Sequence, residues 1–138
     1  FVIERLIRGK VAWIEEQRKK MKTRVRLAPP PSVLDYRRHK ERALVFATER
    51  VAYFSSIYGV KPARISIRNS LTRWGSCSSL GAVSFSYRVI FLPPHLADYL
   101  VVHELCHLKE MNHSKKFWAL VAKTIPDCQA LRKHLRMG

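Results

Sequence analysis

Acidic side chains are scarce in this chain: ten Asp and Glu face 26 Lys and Arg, a formal charge of +16 over 138 residues. Such a surface attracts polyanions, and DNA, RNA or a nucleotide are partners to consider. Charge alone does not separate a nucleic-acid binder from a well-solvated basic surface. Cysteine is scarce too. Cys77, Cys106 and Cys128 are widely spaced, odd in number and lack a CxxC pair. That argues against a disulfide framework and a thiolate zinc site, and a reducing cytoplasm is the expected setting. No apolar run reaches 18 residues, so no membrane span is expected. The opening FVIERLIRGK is charged too early for a signal peptide. There is no Walker-type glycine loop, internal repeat or low-complexity tract. The first residue is Phe1, so a longer parent protein is expected.

What is present points to one domain with a core of its own. Apolar residues make up 47% of the chain, too many for global disorder. Ile3, Leu6, Ile7, Val11 and Ile14 recur at helical spacing, which predicts an amphipathic helix over 2–22. The prolines of 29–31 break it. Leu44, Ala47, Val51, Phe54 and Tyr58 predict a second helix over about 33–58, stopped by Gly59. The period then shortens to two. ARISIRNS (63–70) and AVSFSYRV (82–89) read as half-buried strands, with a turn near Leu80–Gly81. A third helix is expected from Pro94 to about Glu110, apolar on several faces and therefore central. A fourth begins after Ser114, a suitable N-cap, and ends at Pro126.

The chemistry lies in VVHELCHLKEMNHSKKFW, residues 101–118, which holds three of the six histidines. His103 and His107 are four apart on a predicted helix, so both imidazoles leave one face. Both nitrogens can reach one zinc ion at about 2.0–2.1 Å. Glu104 lies about 100° around the helix from His103. It flanks the metal without having to ligate it, which suits a base acting on zinc-bound water. A catalytic zinc site takes three protein ligands and keeps one position open. After Glu110 the one remaining carboxylate is Asp127. His113, six residues beyond His107, is the favoured third ligand, with Asp127 and His134 as alternatives.

ISIRNSLTRWGSCSS (65–79) followed by VVHELCHLKEMNHSKKFW resembles the YgjP-like metallopeptidase family, over about residues 60–135. The resemblance implies a zincin-like fold and a zinc-dependent hydrolase, related to the SprT-like and WLM metalloproteases. Some members of those groups cut proteins crosslinked to DNA. It carries the ligand roles onto His103, His107 and His113, and the base role onto Glu104. Two positions depart from the family pattern: Leu71 replaces a usual lysine and Cys106 a common alanine. A metzincin would carry glycine three residues after His107, where this chain has Glu110.

The expected architecture is α+β and zincin-like: a small antiparallel or mixed sheet on a central HExxH helix, with N-terminal and C-terminal helices. Residues 1–31 would form a helical segment and 32–138 the hydrolase domain. The segment TRWGSCS (72–78) has two readings: Trp74 as core filler with Gly75 at a bulge, or an edge strand that lines the cleft and pairs with an extended substrate. Asn69, Arg73 and Arg88 are candidates to steady an oxyanion, and Trp74 a further substrate-side residue. The favoured function is a zinc metallopeptidase acting on a peptide or protein. Its rivals are a metal-dependent nucleotide or phosphoanhydride hydrolase and a non-catalytic zinc module that binds nucleic acid.

Overall fold

The computed structural model describes residue 28 and residues 30–70 and 72–137. The helix expected over 2–22 lies outside the described residues. Helix α1 is Val33–Tyr58. Ser32 starts it, its Oγ accepting from the Asp35 N–H at 3.1 Å, and Asp35 adds negative charge where the helix dipole favours it. Gly59 ends it in a left-handed conformation (φ 66°) and donates its N–H to the Ser55 carbonyl, a turn that glycine makes without steric cost. The buried stripe is Ala43, Ala47, Val51, Phe54 and Tyr58. Leu44, expected in that stripe, sits at its margin and remains 36% exposed. One residue is a 100° rotation, and small Ala43 takes the inward place.

Strands β1 (Arg64–Arg68), β2 (Gly75–Cys77) and β3 (Ala82–Ser86) form a mixed sheet in the order β1-β3-β2. Strand β3 is central, parallel to β1 and antiparallel to β2. The β2–β3 hairpin turns at 78–81, as expected, with Gly81 at φ 90° and its N–H on the Ser78 carbonyl. Ile65, Ile67, Val83 and Phe85 share one face by alternation, and Val83 and Phe85 are fully buried. Strand β3 is shorter than the pattern 82–89 predicted. After Ser86 the chain tightens into a 3-10 turn, Tyr87–Phe91, begun by the Ser86 hydroxyl accepting from the Arg88 N–H.

Helix α2, Pro94–Cys106, is buried almost all round, through Leu96, Ala97, Tyr99, Leu100, Val101, Val102, Leu105 and Cys106. It packs on α1 and on β2. It stops four residues before the expected end. Leu108 N–H bonds to the Leu105 carbonyl and Lys109 N–H to that of Cys106, so the last turn tightens to three-residue spacing and the chain leaves the axis. Helix α3 (Lys115–Ala122) is capped by Ser114, as expected. The Tyr58 hydroxyl holds α3 to α1 by donating to the Leu120 carbonyl at 2.6 Å. Helix α4, Cys128–Met137, closes the domain.

Arg50 of α1 grips Asp98 of α2 through two bonds, Nε to Oδ1 at 2.8 Å and Nη2 to Oδ2 at 3.1 Å. The side chains are 33% and 24% exposed. Planar two-point pairing sets this pair above the run of surface ion pairs, while solvent keeps its worth small. A double-mutant cycle of Arg50→Ala and Asp98→Ala, followed by urea unfolding, should give a coupling of about 0.5–1 kcal/mol.

Candidate active site

Helix α2 presents His103 and His107 from its last turn, and the tight exit at 107–110 brings the chain back so that His113 faces them. The Nε2 atoms of His107 and His113 are 3.1 Å apart, and those of His113 and His103 are 3.3 Å apart. Three ligand atoms of this group lie within 4.8 Å of one another. Zinc–nitrogen bonds of about 2.0–2.1 Å in a tetrahedron give edges of about 3.3 Å. The protonation pattern agrees with that fit. His107 Nδ1 lies 3.0 Å from the Glu110 carbonyl, which can only accept, so the ring proton sits on Nδ1 and Nε2 presents a lone pair. His103 Nδ1 is 3.1 Å from the Tyr99 hydroxyl. His103, His107 and His113 therefore suit a borderline-soft dication such as zinc.

Aromatic side chains fix the rings. Phe117 stacks on His107 with centroids 4.4 Å apart and planes at 22°. Trp118 stacks more loosely on His113, at 5.7 Å and 25°, and the Arg132 guanidinium lies over Trp118 at 5.2 Å. Burial pushes His103 down to about 3, helped by His107, His113 and Arg132. Burial also lowers His113, with His107 and Arg132 acting the same way. Both rings are thus held neutral, the form that binds metal.

Glu104 is only 5% exposed. Burial raises its carboxyl to about 8, and Arg73 opposes the shift. It lies against β2. A β-carbon on Gly75 would stand 3.0 Å from the Ser84 carbonyl and 3.1 Å from Glu104 Oε2. The missing side chain leaves room for this approach, which brings strand and carboxylate together. Arg73, Gly75, Ser76, Cys77, Glu104 and Met111 share one cleft of about 330 Å³ with the three histidines.

The other expected site residues part company. Asn69 lies in an adjoining cavity that Arg73 also lines. Arg88 is 4% exposed and turned under the Trp74 ring, 4.3 Å from its centroid; neither residue lines the cleft. Asp127, an alternative third ligand, faces His95 at 3.0 Å. His134, the other alternative, is fully buried. Among the described residues the metal-capable group comprises His103, His107 and His113. Sequence reasoning missed Tyr99, the Glu110 carbonyl, Phe117 and Trp118 as supports. Tyr99, four residues before His103, carried a signal in its helical spacing.

A family model described as YgjP-like, metallopeptidase domain, matches residues 34–137. The chain belongs to the YgjP-like metallopeptidase family. It is a metallohydrolase of that family, and the histidine cluster is its metal-capable centre. Among solved structures it is similar to the metallopeptidase zymogen of Pyrococcus abyssi abylysin. The TM-score is 0.59 at 23% identity, covering 64% of this chain and 90% of that one. This likeness supports the fold. No curated protein matches the chain significantly.

Gly75→Ala should act on this YgjP-like site at a distance from the metal ligands. The added methyl meets the backbone carbonyl of Ser84, which cannot turn aside, and Glu104 must move. Thermal melting should show a loss of about 1–3 kcal/mol, the usual scale of overpacking, with zinc content unchanged.

Proposed function

We propose that the chain is a zinc-dependent peptidase in which His103, His107 and His113 hold the metal and Glu104 is the general base. The observation that carries this reading is the buried Glu104 carboxylate beside three converging imidazole lone pairs, in the same cleft. Zinc in that place supplies a Lewis acid and lowers the pKa of water to about 7. A dication in the cleft would oppose the upward shift that burial gives Glu104, and the ionised carboxylate would take the proton of the attacking water and deliver it to the leaving amine. Its carboxylate makes no hydrogen bond among the described residues, so its oxygens are available to that water. Arg73, on the cleft wall and close enough to act on Glu104, is the choice for steadying the oxyanion. Arg88 serves instead as a support behind Trp74, whose carbonyl accepts from the Ser86 N–H at 2.8 Å.

A peptide is favoured over a phosphoanhydride by the position of β2. It is the terminal strand of the sheet and lines the cleft, so an extended polypeptide can pair with its outer edge and pass the metal. Among the described residues no helix is long and apolar enough to cross a membrane. The three cysteines are free, which supports the expected reducing, cytoplasmic setting.

Glu104→Gln keeps the shape and removes the base. The variant should retain one zinc per chain and its melting temperature, and lose peptide hydrolysis by at least ~10²-fold. Normal turnover with zinc bound rules out the base role; loss of zinc makes Glu104 a ligand. His113→Ala should weaken zinc retention in elemental analysis after dialysis against a chelator. Unchanged retention removes His113 from the ligand set.

A further inference from the structure

A second cavity, of about 640 Å³, adjoins the metal cleft and shares Arg73, Gly75 and Ser76 with it. Part of its lining is a row of hydroxyls. Ser66, Ser84 and Ser76 stand in register across β1, β3 and β2, so their side chains leave the same face of the sheet. The Ser76 and Ser84 hydroxyls are 2.6 Å apart. Arg64 and Arg68 flank Ser66 on that face by alternation, and both are exposed. Among the described residues neither has an ion-pair partner. No acidic residue lines the cavity. Three guanidiniums and a line of hydroxyls offer donors to an oxygen-rich anion, and nothing in the wall repels it.

We propose that this cavity is an anion-recognition subsite that selects substrates carrying a carboxylate or phosphate side chain close to the bond cut. The inference rests on the peptidase reading above. A polypeptide paired to the edge of β2 extends the sheet, and its side chains alternate between the two faces. One face carries Gly75 and meets Glu104; the other carries Ser76 and opens on Arg64 and Arg68. An anionic side chain directed to the second face enters the cavity beside Ser76 and Arg73, and the long side chains of Arg64 and Arg68 reach toward it over the hydroxyl row from β1, about three strand spacings (~14 Å) away, while its neighbour lies by the metal. A single-stranded nucleic acid is disfavoured because, of the two rings in the wall, Phe85 is fully buried, which leaves Tyr36 alone where successive bases need a series of stacking rings. Its one tyrosine, Tyr36, is set edge-on to Tyr87 at 5.9 Å.

The test is binding, which does not depend on turnover. Four fluorescein-labelled probes are titrated against zinc-loaded protein by anisotropy. They are an octapeptide with two central glutamates, its glutamine twin, its phosphoserine twin, and an eight-residue oligothymidylate. The glutamate or phosphoserine peptide should bind at least about tenfold tighter than the glutamine twin, and the tighter of the two identifies the anion. The double variant Arg64→Ala/Arg68→Ala should abolish that preference with its melting temperature kept. Lys123→Ala/Lys133→Ala removes equal charge elsewhere and should preserve it. Equal binding of the glutamine twin, or equal loss in the lysine control, overturns the subsite. So does an oligothymidylate that binds tighter than both anionic peptides through Arg64 and Arg68. Cleavage-site profiling on a peptide library runs in parallel. No cleavage of any peptide sinks the peptidase reading, while the titrations still judge the cavity.

Discussion

Three imidazole lone pairs directed at one point repel one another, and the fold is organised to hold them there. Each ring needs a support outside itself: the Tyr99 hydroxyl for His103, the Glu110 carbonyl and Phe117 for His107, and Trp118 for His113. Those supports come from α2, its exit turn and α3. Helix α2 is stiff because apolar neighbours cover it on nearly every side. Helix α3 is placed by Ser114 at its start and by Tyr58 reaching to Leu120 near its end. A cation at the centre turns that mutual repulsion into attraction, so binding and folding favour the same arrangement.

The sheet serves the centre through its shortest strand. Strand β2 has three residues, and the middle strand, β3, anchors it. At Gly75 the missing side chain allows the Glu104 carboxylate to lie against the backbone. At Ser76 the side chain points to the opposite face, toward the hydroxyl row. Neighbouring residues of one short strand thus belong to two different environments, a consequence of the two-residue period.

Much of this was legible in the sequence because it depends on local period and spacing. The range of α1 follows from its apolar steps and Gly59, and the β2–β3 turn from Gly81. The histidine pair at i, i+4 with glutamate between them foretold a metal-capable helix. Other features were not legible because they arise from packing. The parallel pairing of β1 with β3 depends on which edge the hairpin presents. The early end of α2 depends on hydrogen bonds in the exit turn, in a stretch where the apolar spacing of a helix continues through Leu108. Arg88 looked like a cleft residue because it follows a strand pattern. A 3-10 turn redirects it beneath Trp74. The contact of Gly75 with Glu104 joins residues 29 positions apart in the chain, and no periodicity encodes that.

The outer nitrogens of His103 and His107 rest on a hydroxyl and a carbonyl, both uncharged. Three neutral imidazoles carry no negative charge, so a divalent cation held by them would keep its formal +2. Where a carboxylate ligand would blunt the ion, these imidazoles would leave it a stronger electrophile. A centre so loaded would also draw small anions, in a chain already strongly basic. Halide, phosphate and carboxylate buffers would then compete with substrate at a cation held there, and the ionic composition of the medium would set how much of the protein is available.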